Sequence, residues 1–439
     1  MFPNPQAALP LPARPDLEQY KKLAKELLRA SRSTGSDGIL NWSAHWVAKL
    51  VERSGVEIAP PLPVRIDEWI RDVADFAQTK LQQESKLSNA QFVIARSHGF
   101  PSWNKLAKHI LDAGQVESPQ AQFEAAVEAI VTGDIATLRS LIRTNPRLVR
   151  LRSSREHGAT LLHYVSANGV EGYRQKTPKN IVEVADLLLH AGADVDAGAD
   201  VYNSNCTTLG LVATSGPPQE AGVQRALLRL LLANGAAMDK PGLAGRTNSL
   251  VQACFANGQP DAARFLADHG APLDLETAAG VGRLELVKSL HPSATQQQLQ
   301  NGFLAACMRG EEDVADFLLE HGADPNDPAD TGATALHWAA GAGHLGLVKR
   351  LLQLGVPLEV INRRGGTVLE HAGYGFDHGP FDMDFVPTFE SLLAAGAKIR
   401  GSWLEWIETV KSRSAEEKAR LTDVFRHYGA PESSSDSRR

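Results

Sequence analysis

The densest group of residues that could bind a metal ion lies near residue 380. Carboxylates and imidazoles together can coordinate a divalent cation. The members are Glu370, His371, Asp377, His378, Asp382 and Asp384. Their spacing is irregular and glycines interrupt them, so we predict a solvated loop with no metal bound. Zinc, manganese or nickel present at stoichiometry after purification without affinity metal would contradict that prediction.

Other catalytic patterns are absent from the sequence. It has no phosphate-binding glycine loop, no His-Glu-x-x-His and no Gly-x-Ser-x-Gly. The three cysteines, Cys206, Cys254 and Cys307, are far apart and have no identifiable base to activate them. Their odd number and spacing predict no disulfide framework and favour a reducing compartment, the cytoplasm. We therefore expect neither an enzyme nor a cofactor, and a metal-dependent enzyme is the least favoured alternative.

A second chemical feature is the segment 170–180, where Tyr173, Arg174 and Lys176 lie close together. An aromatic ring, a guanidinium and an ammonium group suit an acidic or carboxylate-bearing partner. A neighbouring segment at 215–220 is also expanded, with two prolines. These segments are predicted to enlarge a binding surface, and a purely structural role for them is the alternative.

The candidate residues above lie in or between predicted helices that end in glycine. Leucine-rich helix ends meet a glycine that favours the left-handed conformation needed to stop a helix. These glycines are Gly192, Gly235, Gly270, Gly322, Gly355, Gly396 and Gly429. Their intervals are 43, 35, 52, 33, 41 and 33 residues. A period of about 33 residues predicts a solenoid of stacked repeats with some insertions.

Residues 331–340, Thr-Gly-Ala-Thr-Ala-Leu-His-Trp-Ala-Ala, carry a family resemblance. Together with Gly343-His344 and the leucines at 347–352, they resemble an ankyrin repeat. Residues 160–163 and 318–324 match the same pattern. The whole chain resembles bacterial ankyrin repeat proteins with a helical segment before the array. The resemblance implies an all-α fold, an ankyrin solenoid preceded by a small N-terminal helical bundle.

The predicted organisation has five parts. A disordered proline-rich tail spans 1–15, a helical bundle 16–112, about eight ankyrin repeats 121–398, capping helices 399–430 and a disordered tail 431–439. One repeat is truncated near 276–292, where Pro292 prevents simple helix continuation. Tryptophans of the bundle are predicted to form its core, and a partner-binding role for the bundle is the alternative.

Charge and hydropathy limit the partners. Residues 1–112 have a net charge of +3 and the rest −9, so the predicted array lacks the basic stripe typical of nucleic-acid binding. No apolar run approaches the roughly 20 residues that cross a bilayer. We expect a monomer that binds a protein, with no nucleic acid and no membrane.

Partner contact is expected on the concave face of the array. Aligned repeats predict one outward residue in each first helix: Glu128, Tyr164, Leu211, Ala253, Thr277, Ala305, Trp338 and His371. The predicted partner-binding residues are Tyr164, Tyr173, Arg174, Lys176, Leu211, Trp338 and His371. The predicted function is a non-enzymatic protein-interaction scaffold. A small-molecule or peptide sensor in the groove beside the insertion is the alternative.

Overall fold

The structure, a computed structural model, describes residues 4–12, 14–32, 37–54, 62–115, 117–238, 249–328, 331–379 and 383–431, with only the backbone for 62–64. The chain forms two compact units, Met1–Pro272 and Leu273–Arg439. Both units are built mainly from helices, which confirms the all-α prediction. None of the described helices is long and apolar enough to span a membrane.

The first unit begins with five helices. They are α1 (Leu17–Ala30), α2 (Gly38–Ser54), α3 (Leu62–Gln83), α4 (Leu87–Ser97) and α5 (Trp103–Ala113). The Asp16 carboxylate accepts the Glu18 N–H at 2.9 Å and so caps α1. Trp46 and Trp69 are buried among the apolar faces, and Trp42 and Trp103 pack against them partly buried. The tryptophans thus contribute to the core, as predicted.

Residues 4–12 pack against this bundle, although the sequence predicts a disordered tail over 1–15. Ala8 and Leu9 are buried, and the Leu9 N–H donates to the Ser97 carbonyl at 2.8 Å. Disorder is therefore the wrong prediction for this described segment. The physical reason is that Leu9 gains a buried apolar site while neighbouring prolines already restrict the unfolded backbone. The tail predicted at 431–439 lies outside the described residues, except for residue 431.

The remainder of the first unit consists of helix pairs and one hairpin. Its α-helices are α6 (Pro119–Thr132), α7 (Ile135–Thr144), α8 (Ile181–His190), α9 (Thr208–Ala213), α10 (Gly216–Glu220), α11 (Gln224–Ala233), α12 (Leu250–Ala256) and α13 (Pro260–Asp268). Short 3₁₀ helices span Pro5–Ala7, Pro146–Arg150, Leu161–Ser166 and Gly172–Arg174. Strands β1 (Gly198–Val201) and β2 (Ser204–Thr207) pair antiparallel, with Ala199 opposite Cys206.

The second unit contains the other ten helices. They are α14 (Leu275–Gly280), α15 (Leu284–Leu290), α16 (Gln296–Arg309), α17 (Glu312–Glu320), α18 (Ala335–Gly341), α19 (Leu345–Gln353), α20 (Val368–His378), α21 (Val386–Ala394), α22 (Trp403–Thr409) and α23 (Ala415–His427). One apolar cluster runs through all the repeats of this unit, because the inner faces of successive helices are rich in alanine, leucine and phenylalanine. After the short helix α15 the chain passes directly into a 3₁₀ turn, His291–Ser293, that contains Pro292.

The helix-stop glycines adopt the conformation that the repeat pattern requires. All seven have positive φ, from 76° at Gly355 to 102° at Gly322. This confirms that each helix end depends on a left-handed residue. A side chain at these positions would strain the backbone.

The segment predicted to be a solvated loop near residue 380 is helical as far as His378. Phe376 on α20 is buried against Phe385 and Phe389, and Arg413 donates to its carbonyl at 2.6 Å. The glycines of this segment suggested a loop. Gly375 instead allows close packing of α20 on α18, because a Cβ at this position would collide with the Gly341 carbonyl. The loop prediction is therefore wrong for this helical part, and Asp382 lies outside the described residues.

The last two helices cover the apolar end of the second unit. Trp403 stacks on Phe425 with ring centroids 4.9 Å apart, and both contact Phe389. Ser414 and Glu417 form the predicted capping box at the start of α23. These contacts support a capping role for α22 and α23.

Truncation after Gly396 should lower the thermal midpoint by more than about 5 °C. It leaves Phe389 without its aromatic partners, and each large side chain removed from the core costs about 1.5–3 kcal/mol. Calorimetry of the full chain, this truncation and a control ending at Ala430 would test the prediction. A midpoint equal to that of the full chain, with a monodisperse product, would contradict the capping role.

Candidate partner-binding groove

The predicted basic insertion contains a buried acid, Glu171, held by two guanidinium groups. Its Oε1 lies 2.8 Å from Arg155 Nε and 3.5 Å from Arg174 Nη1. His157 Nε2 is also 3.5 Å away. Glu171 and Arg155 are almost fully buried, so neither charge is screened by water. These charges can remain inside only as a set.

Two carboxylates from α6 complete this cluster, which we call the Glu171 network. Glu124 accepts from Arg174 Nη2 at 2.7 Å and from Arg155 Nη1 at 3.1 Å. Glu128, at the exposed edge, accepts from Arg174 at 2.8 Å. The network therefore joins the first repeat to the insertion of the second repeat. The bundle is attached nearby, because Arg96 on α4 pairs with Glu156.

Local backbone structure explains how these charges meet. The turn Gly172–Arg174 is a single 3₁₀ turn, which places Glu171 and Arg174 on the same inner side. Gly172 has no side chain where a Cβ would collide with the Gln6 carbonyl. Glycine is thus required there by the close approach of the N-terminal segment.

The charges inside the network shift one another's pKa values. Burial alone would raise the pKa of Glu124, but Arg174 and Arg155 outweigh burial and lower it to about 2. The same competition, with Arg155 and then Arg174 dominant, holds the pKa of Glu171 well below its usual range. Burial raises the pKa of Tyr164 well above its ordinary value. Both carboxylates are therefore ionised at neutral pH, and both guanidiniums form ion pairs with them.

The structure corrects the expected exposure of three predicted binding residues. Tyr164 is fully buried, Leu211 is buried and Arg174 is engaged by carboxylates. The α6 helix and the insertion cover Tyr164, whose ring contacts Phe123 and His157 edge-to-face. The expectation of an exposed Tyr164 is therefore wrong. Arg174 likewise has no guanidinium face free for an acidic partner.

The remaining predicted residues are accessible to different extents. Lys176 is exposed and Tyr173 is half-buried over the Arg174 guanidinium, 5.5 Å away. In the second unit Trp338 and His371 are half-buried and pack edge-to-face at 5.3 Å. The other outward positions differ too: Glu128 is exposed, Ala305 is half-buried, and Ala253 and Thr277 are buried. Partner contact by the accessible residues stays a prediction.

A groove of about 890 Å³, which we call the polar groove, lies beside the insertion within the first unit. Gln175, next to Arg174, contributes to one wall. Leu211 and Ala253 from the first helices of two repeats line it, and Ser215 precedes α10. Residues 4–6 form a further wall. The expanded segments at 170–180 and 215–220 thus border the same space.

One hydroxyl connects the N-terminal wall to the repeats. Gln6 donates to the Tyr202 hydroxyl at 2.6 Å, and that hydroxyl donates to Asn168 Oδ1 at 2.6 Å. The Asn168 amide then donates to the Leu211 carbonyl at 3.3 Å and to Thr214 Oγ1 at 3.2 Å. This relay links groove-lining residues of the N-terminal segment, the hairpin and α9.

Unfavourable backbone conformations concentrate at the polar groove. Among the described residues, the non-glycines with positive φ are Ala167, Tyr202 and Asn203, and all three line it. Tyr202 and Asn203 form the two-residue turn between β1 and β2, where left-handed conformations match the twist of the strands. Such residues tend to cluster at functional sites. The groove is therefore the leading candidate for a binding site.

Metal and thiol chemistry find little support in the described part of the chain. No group of three or more histidine, cysteine or acidic side chains there could hold a metal ion. All three cysteines are buried, and burial raises the pKa of Cys206 to about 11 and of Cys254 to about 12. These thiols are protonated and poorly nucleophilic at neutral pH.

Sequence reasoning missed the residues that hold the site together. Glu124, Arg155 and His157 carry no local signal, because their partners are distant in sequence. The hairpin turn at Tyr202-Asn203 did carry a local signal. The apolar residues Ala199, Val201 and Cys206 alternate with polar residues on both sides of an asparagine, a residue type that accepts positive φ. An apolar residue among prolines, Leu9, was a signal that this segment could be anchored in the core.

Comparison with known proteins agrees with the repeat geometry. Residues 275–364 match the family described as "Ankyrin repeats (3 copies)". "Cyclin-dependent kinase 4 inhibitor B" of Bos taurus is 37% identical over 102 residues, which cover 22% of this chain and 77% of that protein. The chain belongs to the ankyrin repeat family. The Rattus norvegicus protein of the same name is 35% identical over 102 residues, covering 22% of this chain and 78% of the relative.

Family membership explains the two buried histidines of the repeat motif. His163 Nδ1 lies 2.8 Å from Thr160 Oγ1, and its Nε2 lies 3.3 Å from the Cys206 carbonyl. His337 makes the equivalent contacts with Thr334 and the Val360 carbonyl. Each imidazole therefore ties a first helix of an ankyrin repeat to a backbone carbonyl of the segment that leads into the next repeat, and neither is free for catalysis.

Replacing Arg155 by methionine should destabilise the protein by about 3–5 kcal/mol, because Glu171 keeps its charge without its nearest partner. Urea unfolding followed by circular dichroism would measure this loss. Arg350→Met is the matched control. Arg350 pairs with Asp316 while both side chains remain nearly half exposed, at 47% and 46%, so its loss should cost less than about 1 kcal/mol. Equal effects of the two variants would contradict the importance of the Glu171 network.

Stability should fall when the pH drops below about 6.5. Burial lowers the pKa of His109 to about 4, so its unfolded form binds a proton over this range while the folded form resists it. Its contribution is present above pH 6.5 and is lost as the pH falls towards 4, at up to about 1.4 kcal/mol per pH unit. Glu124, with a pKa of about 2, adds a further loss below about pH 4.5.

His109→Asn should flatten the dependence of unfolding free energy on pH between 6.5 and 4. Asparagine can replace the contact of His109 Nδ1 with Ser154 Oγ, 2.9 Å long, but does not titrate. Urea titrations of parent and variant at several pH values would give both slopes. Parallel slopes would show that His109 is not a source of the acid sensitivity.

Proposed function

We propose that this chain is a non-enzymatic scaffold that binds a partner protein along the first helices of its ankyrin repeats. Family membership supports the class, since repeat arrays present extended surfaces to other macromolecules. Two relatives are named as inhibitors of cyclin-dependent kinase 4, and the partner proposed for this chain is likewise a protein.

The observation that carries this proposal is the polar groove. It lies beside the first helices of successive repeats, and two expanded segments border it. Lys176 and Tyr173 lie on the adjoining insertion and remain proposed contacts. Trp338 and His371 form a proposed second contact within the other unit. Tyr164 and Arg174 act from the interior by holding the surface in place, whereas Leu211, although mostly buried, lines the polar groove.

A sensor for a small molecule or peptide is the second candidate. Its support is the groove volume, since ligand pockets commonly measure about 300–1,000 Å³. We propose no enzymatic activity, because the titratable cluster of the first unit is consumed by ion pairs. We also propose that the protein is cytoplasmic, monomeric and bacterial. The free cysteines support a reducing compartment, and the resemblance to bacterial ankyrin repeat proteins supports the origin.

Lys176→Glu and Trp338→Ala should each weaken binding of a protein partner. Loss of an anchor side chain costs about 2 kcal/mol, or roughly thirtyfold in Kd. The partner would be obtained by co-purification with the full chain and mass spectrometry, and its affinity then measured by calorimetry. Lys349→Glu, an exposed change on the second helix of a repeat, is the matched control. Unchanged affinity for both variants would overturn these contacts.

A further inference from the structure

We infer that a surface formed by four arginines of the first repeat binds a short acidic segment of another protein. These residues, which we call the arginine patch, are Arg139, Arg143, Arg147 and Arg150. They lie on α7, the second helix of that repeat, and on the 3₁₀ helix that follows it. None of them lines the polar groove, so the patch goes beyond the contacts proposed for the first helices.

The segment 135–155 has an unusual charge. It contains six arginines, no lysine and no acidic residue, in a chain whose formal net charge is −6. The negative total of the repeats conceals this local excess of positive charge. The surface around α7 therefore has a sign opposite to that of the chain as a whole.

Two arginines of this segment have a structural role, and the four of the arginine patch have none among the described residues. Arg155 pairs with Glu171 inside the protein. Arg152 donates to the Gly158 and Gly198 carbonyls at 2.8 and 2.7 Å. In the part of the chain that the structure describes, the side chains of the patch are exposed and form no hydrogen bond or ion pair. Their guanidinium groups are thus available to a partner.

The backbone places these charges close together. Arg139 and Arg143 are four positions apart on α7 and share one face of that helix. Arg147 and Arg150 are three positions apart in the 3₁₀ helix Pro146–Arg150, where side chains at that spacing eclipse. Like charges so close repel, and the helix dipole favours only the one in the last turn of α7, Arg143. An anionic ligand would relieve the repulsion.

The chemistry of the arginine patch fits carboxylates on an extended chain. The planar guanidinium group binds a carboxylate through two parallel hydrogen bonds, which lysine cannot do. Alternate side chains on one face of an extended segment are about 6.6 Å apart. The rise between Arg139 and Arg143 is about 6 Å. Acidic side chains at alternate positions can therefore meet successive arginines.

Charges that border the patch favour a short ligand over a continuous phosphate backbone. Asp134 precedes α7, and Glu183 lies on α8, which packs beside α7. Both side chains are exposed. A nucleic acid carries charge along its whole length and would meet these carboxylates, whereas a short acidic segment need not.

The side chains between the arginines also argue against nucleic acid and lipid. Residues 135–155 contain no aromatic ring on which bases could stack. The exposed positions of α7 carry no large apolar side chain that could enter a lipid surface. An acidic protein segment is the remaining ligand that matches both the charge and the surroundings.

An octaglutamate peptide with a fluorescein label and an amidated C-terminus is a direct probe of this surface. Fluorescence anisotropy with the full chain should show binding that weakens as salt screens the charges. An octaglutamine peptide with the same label should not bind. Arg139→Gln, Arg143→Gln and Arg147→Gln combined should weaken octaglutamate binding about tenfold, the expected effect of losing three exposed ion pairs.

A second triple variant is the matched control for net charge. It combines Arg225→Gln, Lys349→Gln and Arg350→Gln, which are exposed residues on other second helices, α11 and α19. The change in charge equals that of the patch variant. This control should bind octaglutamate within about twofold of the parent, because exposed charges far from a ligand are screened. Circular dichroism melts of both triple variants should match the parent, since every changed side chain is exposed.

Lysine replacements test the geometry of the arginine patch separately from its charge. Arg139→Lys, Arg143→Lys and Arg147→Lys combined retain all three charges but lose the forked donors. Octaglutamate binding should weaken about threefold. Affinity equal to that of the parent would refute recognition of carboxylates by guanidinium geometry.

Three further results would overturn the inference. Equal losses in the two glutamine triple variants would show that net charge alone attracts the peptide. No binding of octaglutamate at 50 mM salt would refute an acidic ligand. Tighter binding of a twelve-residue thymidine oligonucleotide or of phosphatidylserine vesicles, lost in the patch variant, would assign the surface to nucleic acid or to membrane instead.

Discussion

The first unit depends on one buried carboxylate, Glu171. A charge removed from water is stable only beside compensating charges, and here Arg155 and Arg174 supply them. This requirement draws the insertion of the second repeat inwards, brings α6 against it through Glu124 and fixes the turn that carries Arg155. A segment that looked like a flexible basic loop thereby becomes one rigid wall beside the polar groove.

The repeat architecture could be predicted because its causes are local. Helix stops such as Gly322 need only a left-handed residue, and Ser414 with Glu417 determines a helix start within four positions. The Glu171 network could not be predicted in this way. Its charges come from α6 and two separate turns, and their burial depends on the packing of all three. Charged residues in an insertion are usually solvated, so the sequence alone favoured an exposed position for Glu171 and Arg174.

The candidate site shows the same division. Sequence spacing indicated the two expanded segments, and both border the polar groove. It did not indicate that Tyr164 would be buried against Phe123 of α6, because that contact depends on how the first repeat packs on the second. Uncharged polar side chains such as Gln175 and Asn257 line the polar groove, and Arg155, Glu156 and Asp200 line it as well.

The contact between Gln6 and Tyr202 joins residues 196 positions apart in sequence. Repeat arrays ordinarily propagate order between neighbours, so their ends fray first and intermediates accumulate. A clasp across so long a stretch of chain closes only after the second repeat and its hairpin are formed. Folding of this unit should therefore finish with the docking of Gln6 and its neighbours, because the surface they contact forms only when the second repeat and its hairpin are in place.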